Sequence, residues 1–116
     1  MEEALYDTCI LIELIKKGCK RLEGYTTILN IVEFPKALTL KGLTVLYPEP
    51  SDYKLAIIIV KELLKRGTPV PAIDVVIAAV AVNRDLRLIT LDEHFRIIKE
   101  VEPRLKLEIG VPGACA

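Results

Sequence analysis

Apolar positions along this chain switch repeatedly between two spacings. Short runs that suit a strand are followed by stretches whose apolar residues recur every three or four positions, as on one face of a helix. Ala4-Leu5-Tyr6 is the first strand signal. It ends at Asp7-Thr8, and Ile10, Leu11, Leu14 and Ile15 then fall on one helical face. Lys16 and Lys17 occupy the last turn of that helix and Gly18 suits its stop. Gly24-Tyr25-Thr26 predicts a second short strand, and a helix follows from about Thr27 to Leu38, with Thr26, Asn30, Glu33 and Ala37 on one face. Pro35 would lie inside that helix, where it removes a hydrogen bond and kinks the axis. Leu43-Thr44-Val45-Leu46 is a third strand, and Pro48-Glu49-Pro50 stiffens the connection to a helix through Arg66. Ser51 reads as the N-cap of that helix, Leu55, Ile58, Ile59, Leu63 and Leu64 as its buried side, and Gly67 as its stop.

The stretch from Pro71 to Phe95 organises the rest. Ala72 to Val82 places Ile73, Ile77, Val80 and Ala81 at helical spacing with Asp74 in the first turn, and Ala78, Ala79 and Ala81 are small enough for close packing on a sheet. Asn83-Arg84-Asp85 makes a turn, and Leu86 to Thr90 is a short apolar run typical of a buried strand. A short helix after Phe95 to about Glu100 and a last strand over Arg104 to Ile109 complete the alternation, with residues 110–116 as a loosely ordered tail. Strands and helices alternating in this way predict an α/β fold, with one parallel sheet covered on both faces. At the carboxyl ends of such strands, where open α/β sheets hold their sites, stand Asp7 and Asp92. Asp74 enters beside them from a helix start, and Glu33 from the helix after the second strand.

Composition narrows the picture. A length of 116 residues fits a single domain over 1–116. Lys+Arg and Asp+Glu both number 16, so there is no overall basic field. Acids gathered at a site distort that balance, however, and net charge says little about partners until they are located. No apolar run approaches the ~18 residues of a membrane span, and the opening Met-Glu-Glu has the wrong charge for a signal peptide. The expectation is a cytoplasmic protein. Cys9, Cys19 and Cys115 make no CxxC and no Cys/His ligand set, which argues against zinc. Their odd number argues against a full disulfide framework and leaves one pair open. Gln is absent while Ile, Leu, Lys and Glu abound, the bias of hyperthermophiles, whose intracellular proteins sometimes carry disulfides.

Each acid alone has a plain structural explanation: Asp7 as an N-cap, Glu33 as a solvated surface residue. The cluster Lys16, Lys17, Lys20 and Arg21 fits either a helix C-terminus or contact with phosphate. His94, the only histidine, reads as a solvated residue at a helix start, with a general acid or base as the alternative. Taken together, Tyr6-Asp7-Thr8, Thr27-x-x-x-x-x-Glu33, Asp74-x-x-Ile77-Ala78-Ala79 and Leu88-Ile89-Thr90-x-Asp92-x-x-Phe95 resemble the motifs of the PIN domain, most closely the small prokaryotic members that include VapC-type toxins. The motifs run from Asp7 to Phe95 and so span most of the chain.

That resemblance implies a three-layer α/β/α sandwich with a central parallel sheet and a metal-dependent endoribonuclease. Asp7, Glu33, Asp74 and Asp92 match the family's acidic quartet, and Thr90 matches the hydroxyl beside it. Asn30 and Glu93 belong to no motif and are candidates only for an outer layer around the acids. The resemblance further implies Mg²⁺ or Mn²⁺ as cofactor, RNA as substrate, a homodimer, and a small antitoxin protein as partner, with an RNA-processing nuclease as the other role. One departure stands out: Leu38 to Gly42 leaves little room for the helical insertion that such toxins carry there. The chemistry suits the residue types. Hard divalent ions take carboxylate oxygens and retain waters, and they neutralise the anionic transition state of phosphodiester hydrolysis. No Ser-His-Asp set or glycine-rich phosphate loop offers another route. A non-catalytic PIN-like module that binds protein or RNA is the competing reading. A phosphoacceptor domain is weaker, because no lysine follows a late strand in the required place.

Overall fold

Five short strands lie side by side, all parallel, in a computed structural model that describes residues 3–113 and Cys115. They are β1 (Ala4–Tyr6), β2 (Arg21–Thr27), β3 (Lys41–Leu46), β4 (Arg87–Thr90) and β5 (Lys106–Ile109), in the order β3-β2-β1-β4-β5. β1 is central, with Leu5 in register with Tyr25 on one side and Leu88 on the other. Parallel neighbours require crossovers, and five α-helices supply them: α1 (Thr8–Lys16), α2 (Ile28–Glu33), α3 (Pro50–Arg66), α4 (Ala72–Asn83) and α5 (His94–Val101).

Side chains that alternate along the strands sort the core into two layers. Leu5 and Leu88 point into a cluster with Ala56, Ile59 and Leu63 of α3, the apolar residues of α4, and Phe95 and Ile98 of α5. Ala4, Tyr6 and Ile89 face the other way, against Ile10, Leu11 and Leu14 of α1, Ile31 of α2, and Ala37 and Leu40 beyond it. The result is the predicted sandwich. α4 is its most buried helix: Val75 and Ile77 to Ala81 are all inaccessible, and the alanines let it pack tightly among α3, β4 and α5. β2 approaches β1 closely at Gly24, where a Cβ would lie 2.7 Å from the Tyr6 ring and the backbone has φ +144°.

The structure departs from the sequence reading in four places, three of them at the bounds of elements. The helix expected over Thr27 to Leu38 stops at Glu33, Phe34 takes φ −146° and ψ 77°, and Pro35 opens a separate 3₁₀ helix (Pro35–Thr39). Proline disfavours helical geometry at the residue before it, so the chain breaks at Phe34 rather than bending through Pro35. β2 begins at Arg21, earlier than the Gly24-Tyr25-Thr26 signal. In α3, Pro50 takes the first helical position and Glu49, not Ser51, is the N-cap.

The buried side of α3 is also rotated from the expected one. Asp52, Ala56, Ile59 and Leu63 face inward, whereas Ile58 and Leu64 are 64% and 62% exposed. The cause is Asp52. Its carboxylate accepts from Glu49 N–H (2.7 Å), Asn83 Nδ2 (2.8 Å) and Arg84 Nη1 (3.0 and 3.1 Å), which locks the helix in the phase that buries this charge. Cys19 and Cys115 form a disulfide across a sequence separation of 96, resolving the pairing that the sequence left open. Within the tail expected over 110–116, residues 114 and 116 lie outside the described residues. Among the described residues, no helix is long and apolar enough to cross a membrane.

Candidate metal centre

The parallel arrangement brings every strand's carboxyl end to one edge of the sheet, and the sequence places its acids there. Asp7 directly follows β1, Asp92 follows β4 by two residues, Asp74 lies in the first turn of α4, and Glu33 is the last residue of α2. All four line a single cleft of about 360 Å³, together with Thr8, Cys9, Ile12 and Leu91. A cleft of about 370 Å³ at the opposite end of the sheet mixes Glu3 and Glu23 with Arg87, and its mixed charge is poorly suited to a cation.

Asp7 is the most tightly held of the acids. It is buried at the junction of β1 and α1, where Oδ1 accepts from Thr8 N–H (2.9 Å) and Asn30 Nδ2 (3.0 Å). Oδ2 accepts from Thr90 Oγ1 at 2.7 Å and more weakly from Cys9 Sγ at 3.6 Å. Asp7 therefore is the N-cap that its position suggested and also a wall of the acidic cleft. Thr90 serves as a relay, since its hydroxyl oxygen also accepts the backbone N–H of Asp92 (3.0 Å). Fully buried Asn30 accepts from Thr27 Oγ1 (2.7 Å) and Thr27 N–H (3.1 Å), and donates to Thr8 Oγ1 (2.9 Å) as well as to Asp7. Thr8 Oγ1 in turn donates to Glu33 Oε1 (2.9 Å), so one chain of hydrogen bonds runs from α2 to Asp7. Asn30 thus touches an acid directly, whereas Glu93 turns to Arg96 on the surface of α5.

Among the described residues, no side chain or backbone N–H donates to the Asp74 carboxylate in this way. Burial pushes its pKa up, and the nearby carboxylates of Asp7, Asp92 and Glu33 push it further, with His94 opposing them; the outcome is about 6 against an ordinary 3.8. A carboxyl shifted this far by burial and by neighbouring carboxylates marks the cleft as a candidate site.

Cys9 lines the cleft, where sequence reasoning assigned it no role at the site, and His94 stands beside Asp92. Cys9, the free cysteine, has its thiol between Asp7 and Thr90 (Oγ1 at 3.5 Å) and accepts from Leu91 N–H (3.3 Å). Burial raises its pKa, leaving it a neutral thiol. Its place two residues after Asp7, in the first turn of a helix capped by that aspartate, was the available signal. His94 is exposed, as its position at a helix start suggested, but its Nδ1 lies 3.2 Å from Asp92 Oδ1. Asp74, Asp92 and His94 offer ligand atoms that all lie within 4.8 Å of one another. The donors lining the cleft are mostly carboxylate oxygens, which suits a hard divalent ion.

No protein-family model matches the sequence, and no curated protein matches it either. Solved structures do match in fold. A chain of VapBC2 from Rickettsia felis, bound to a DNA fragment from its promoter, superimposes with a TM-score of 0.75 at 18% identity, covering 91% of this chain and 97% of that one. A chain of DNA-bound VapBC from Salmonella typhimurium gives 0.68 at 20% identity, covering 94% and 98%. VapBC-5 from Mycobacterium tuberculosis, of a family of toxin–antitoxin systems, gives 0.67 at 22% identity, again covering 94% and 98%. With its β3-β2-β1-β4-β5 parallel sheet and helices on both faces, the chain has the PIN-domain fold found in VapBC toxin–antitoxin complexes.

Proposed function

We propose that this protein is a metal-dependent endoribonuclease that hydrolyses RNA phosphodiester bonds and acts as the toxin of a toxin–antitoxin pair. The observation that carries the reading is the convergence of Asp7, Glu33, Asp74 and Asp92, from four different elements, on one cleft at the carboxyl edge of the sheet. The raised pKa of Asp74 supports it, because such a site gains most from a cation. The toxin role and the antitoxin partner draw on the fold shared with VapBC complexes.

Asp7, Asp74 and Asp92 would hold Mg²⁺ or Mn²⁺, with Glu33 at the rim of the cleft. A bound ion supplies positive charge against the anionic transition state and makes water acidic enough to attack near neutral pH. The chain's own contribution is positioning. Thr8 N–H, Asn30 and Thr90 fix both oxygens of Asp7, so this carboxylate loses little conformational freedom on engaging a ligand. The Thr90 hydroxyl also ties Asp92 to the same framework. Glu33, anchored by Thr8 Oγ1, would accept a proton from water through its other carboxylate oxygen. With a pKa of about 6, Asp74 is partly protonated near neutral pH before a cation enters.

The test is cleavage of a labelled mixed RNA pool with Mn²⁺, Mg²⁺ or EDTA, beside an Asp74→Asn protein purified identically. Cleavage by the wild type alone, abolished by EDTA, is expected. Equal background from both proteins would overturn the assignment.

A further inference from the structure

We propose that His94 is a direct ligand of the divalent ion, and that its imidazole makes this site favour manganese over magnesium. The inference rests on the metal-dependent reading of the cleft and adds a nitrogen donor to its carboxylate set.

The argument begins with distances. Around an ion with bonds of about 2.1 Å in octahedral geometry, ligand atoms at right angles lie about 3 Å apart, and opposite ones about 4.2 Å apart. His94 Nδ1 is 3.2 Å from Asp92 Oδ1, close to the right-angle separation. The atoms offered by Asp74, Asp92 and His94 fall within 4.8 Å of one another, so a single ion can reach all three with small side-chain adjustments. Position follows from the backbone. His94 is the first residue of α5, and its N–H donates to Asp92 Oδ1 at 2.9 Å, which holds the two residues together. The imidazole itself is 56% exposed, so its engagement carries only a small desolvation cost.

Donor chemistry then sets the preference. Magnesium is satisfied by oxygen ligands and retained waters, whereas an imidazole nitrogen strengthens the hold on softer first-row ions. A cleft of carboxylates alone has little means of distinguishing Mn²⁺ from Mg²⁺; one that includes His94 does. The competing account is a local ion pair, in which His94 merely serves as a counter-charge to Asp92. In that case the imidazole never meets the ion.

The experiment uses the full chain without an affinity tag, because His94 is then the only imidazole present. Calorimetric titrations with MnCl₂ and with MgCl₂ are run on wild type and His94→Ala, with circular dichroism melts to confirm that both are folded. Pulsed electron paramagnetic resonance on the Mn²⁺-loaded wild type reads imidazole nitrogen coupling directly and needs no variant. Expected are a clear ¹⁴N coupling that vanishes in His94→Ala, an Mn²⁺ affinity lowered about tenfold or more, and an Mg²⁺ affinity changed less than about twofold. Mn²⁺ bound without nitrogen coupling, or bound equally well by both proteins, overturns the role of His94 and leaves the nuclease reading standing. Wild type that binds neither ion overturns the metal reading of the cleft as well.

Discussion

Asp74 and Asn30 show how single side chains set the character of the cleft. Asp74 has its folded pKa raised to about 6, so the stability linked to this group is fully present below pH 3.8 and is lost as pH rises through 6. Replacing it by Asn removes that loss. In EDTA at pH 7.5, urea denaturation of Asp74→Asn should therefore give a protein more stable than wild type, by roughly 1–2 kcal/mol after allowing for solvent screening of a half-exposed group. Near pH 3.5 the two should converge. A less stable variant at neutral pH would argue against burial and crowded carboxylates as the sources of the shift. Asn30 is the opposite case, since it is buried and satisfied on both its amide oxygen and its nitrogen. Asn30→Ala strips donors from Asp7 and Thr8 and an acceptor from Thr27, and should cost about 2–3 kcal/mol in the same assay.

Between elements, the contact of α3 with α4 rests on a buried charge. Burial alone would raise the pKa of Asp52, but hydrogen bonds from Glu49, Asn83 and Arg84 outweigh it and hold the group below its ordinary value. The stability it contributes is present above pH 3.8 and disappears as pH falls through the lower, folded value, the reverse of Asp74. Arg84→Ala leaves that carboxylate buried without its main partner. A loss of about 3–5 kcal/mol is expected at pH 7, shrinking toward acid, and thermal melts at both pH values would measure it. A small, pH-independent loss would mean that water replaces the guanidinium.

For the whole molecule, the Cys19–Cys115 disulfide and the exposed side of α3 invite measurement. Alkylation of the denatured, unreduced protein should add one label, on Cys9, and three after reduction, which mass spectrometry would count directly. Because the bridge spans a sequence separation of 96, chain-entropy reasoning puts its contribution at up to about 4–5 kcal/mol. Reduction should accordingly lower the melting temperature. Tyr53, Ile57 and Leu64 form an exposed apolar stripe along α3, and the homodimer that the PIN-domain resemblance implies would cover apolar surface of this kind. Sedimentation of wild type against Ile57→Glu is the check, with a dimer expected for the first and a monomer for the second. A wild-type monomer at high concentration would overturn the expectation of a homodimer.

Much of this architecture is local and so was legible in the sequence. Ala4–Tyr6, the helix with Asp74 in its first turn and the run to Thr90 each carry their own period and stop signals, and their alternation leads to a parallel sheet. The same logic put Asp7 and Asp92 at one edge, because parallel strands share a carboxyl end. What the sequence could not supply were consequences of contacts between distant residues. The phase of α3 was misread because apolar spacing alone does not register that Asp52 meets Asn83 and Arg84, more than thirty residues away. The break before Pro35 was locally encoded, yet it was outweighed by apolar spacing that continued across it. Asn30 reaching Asp7, Cys9 lying between Asp7 and Thr90, and Cys19 pairing with Cys115 are all long-range facts. Sequence alone thus determined the alternation of strands and helices and which edge gathers the acids. Tertiary structure decided which side chains orient those acids and how far Asp74 is pushed from its ordinary pKa, because hydrogen bonds and charge repulsion depend on distances that only packing sets.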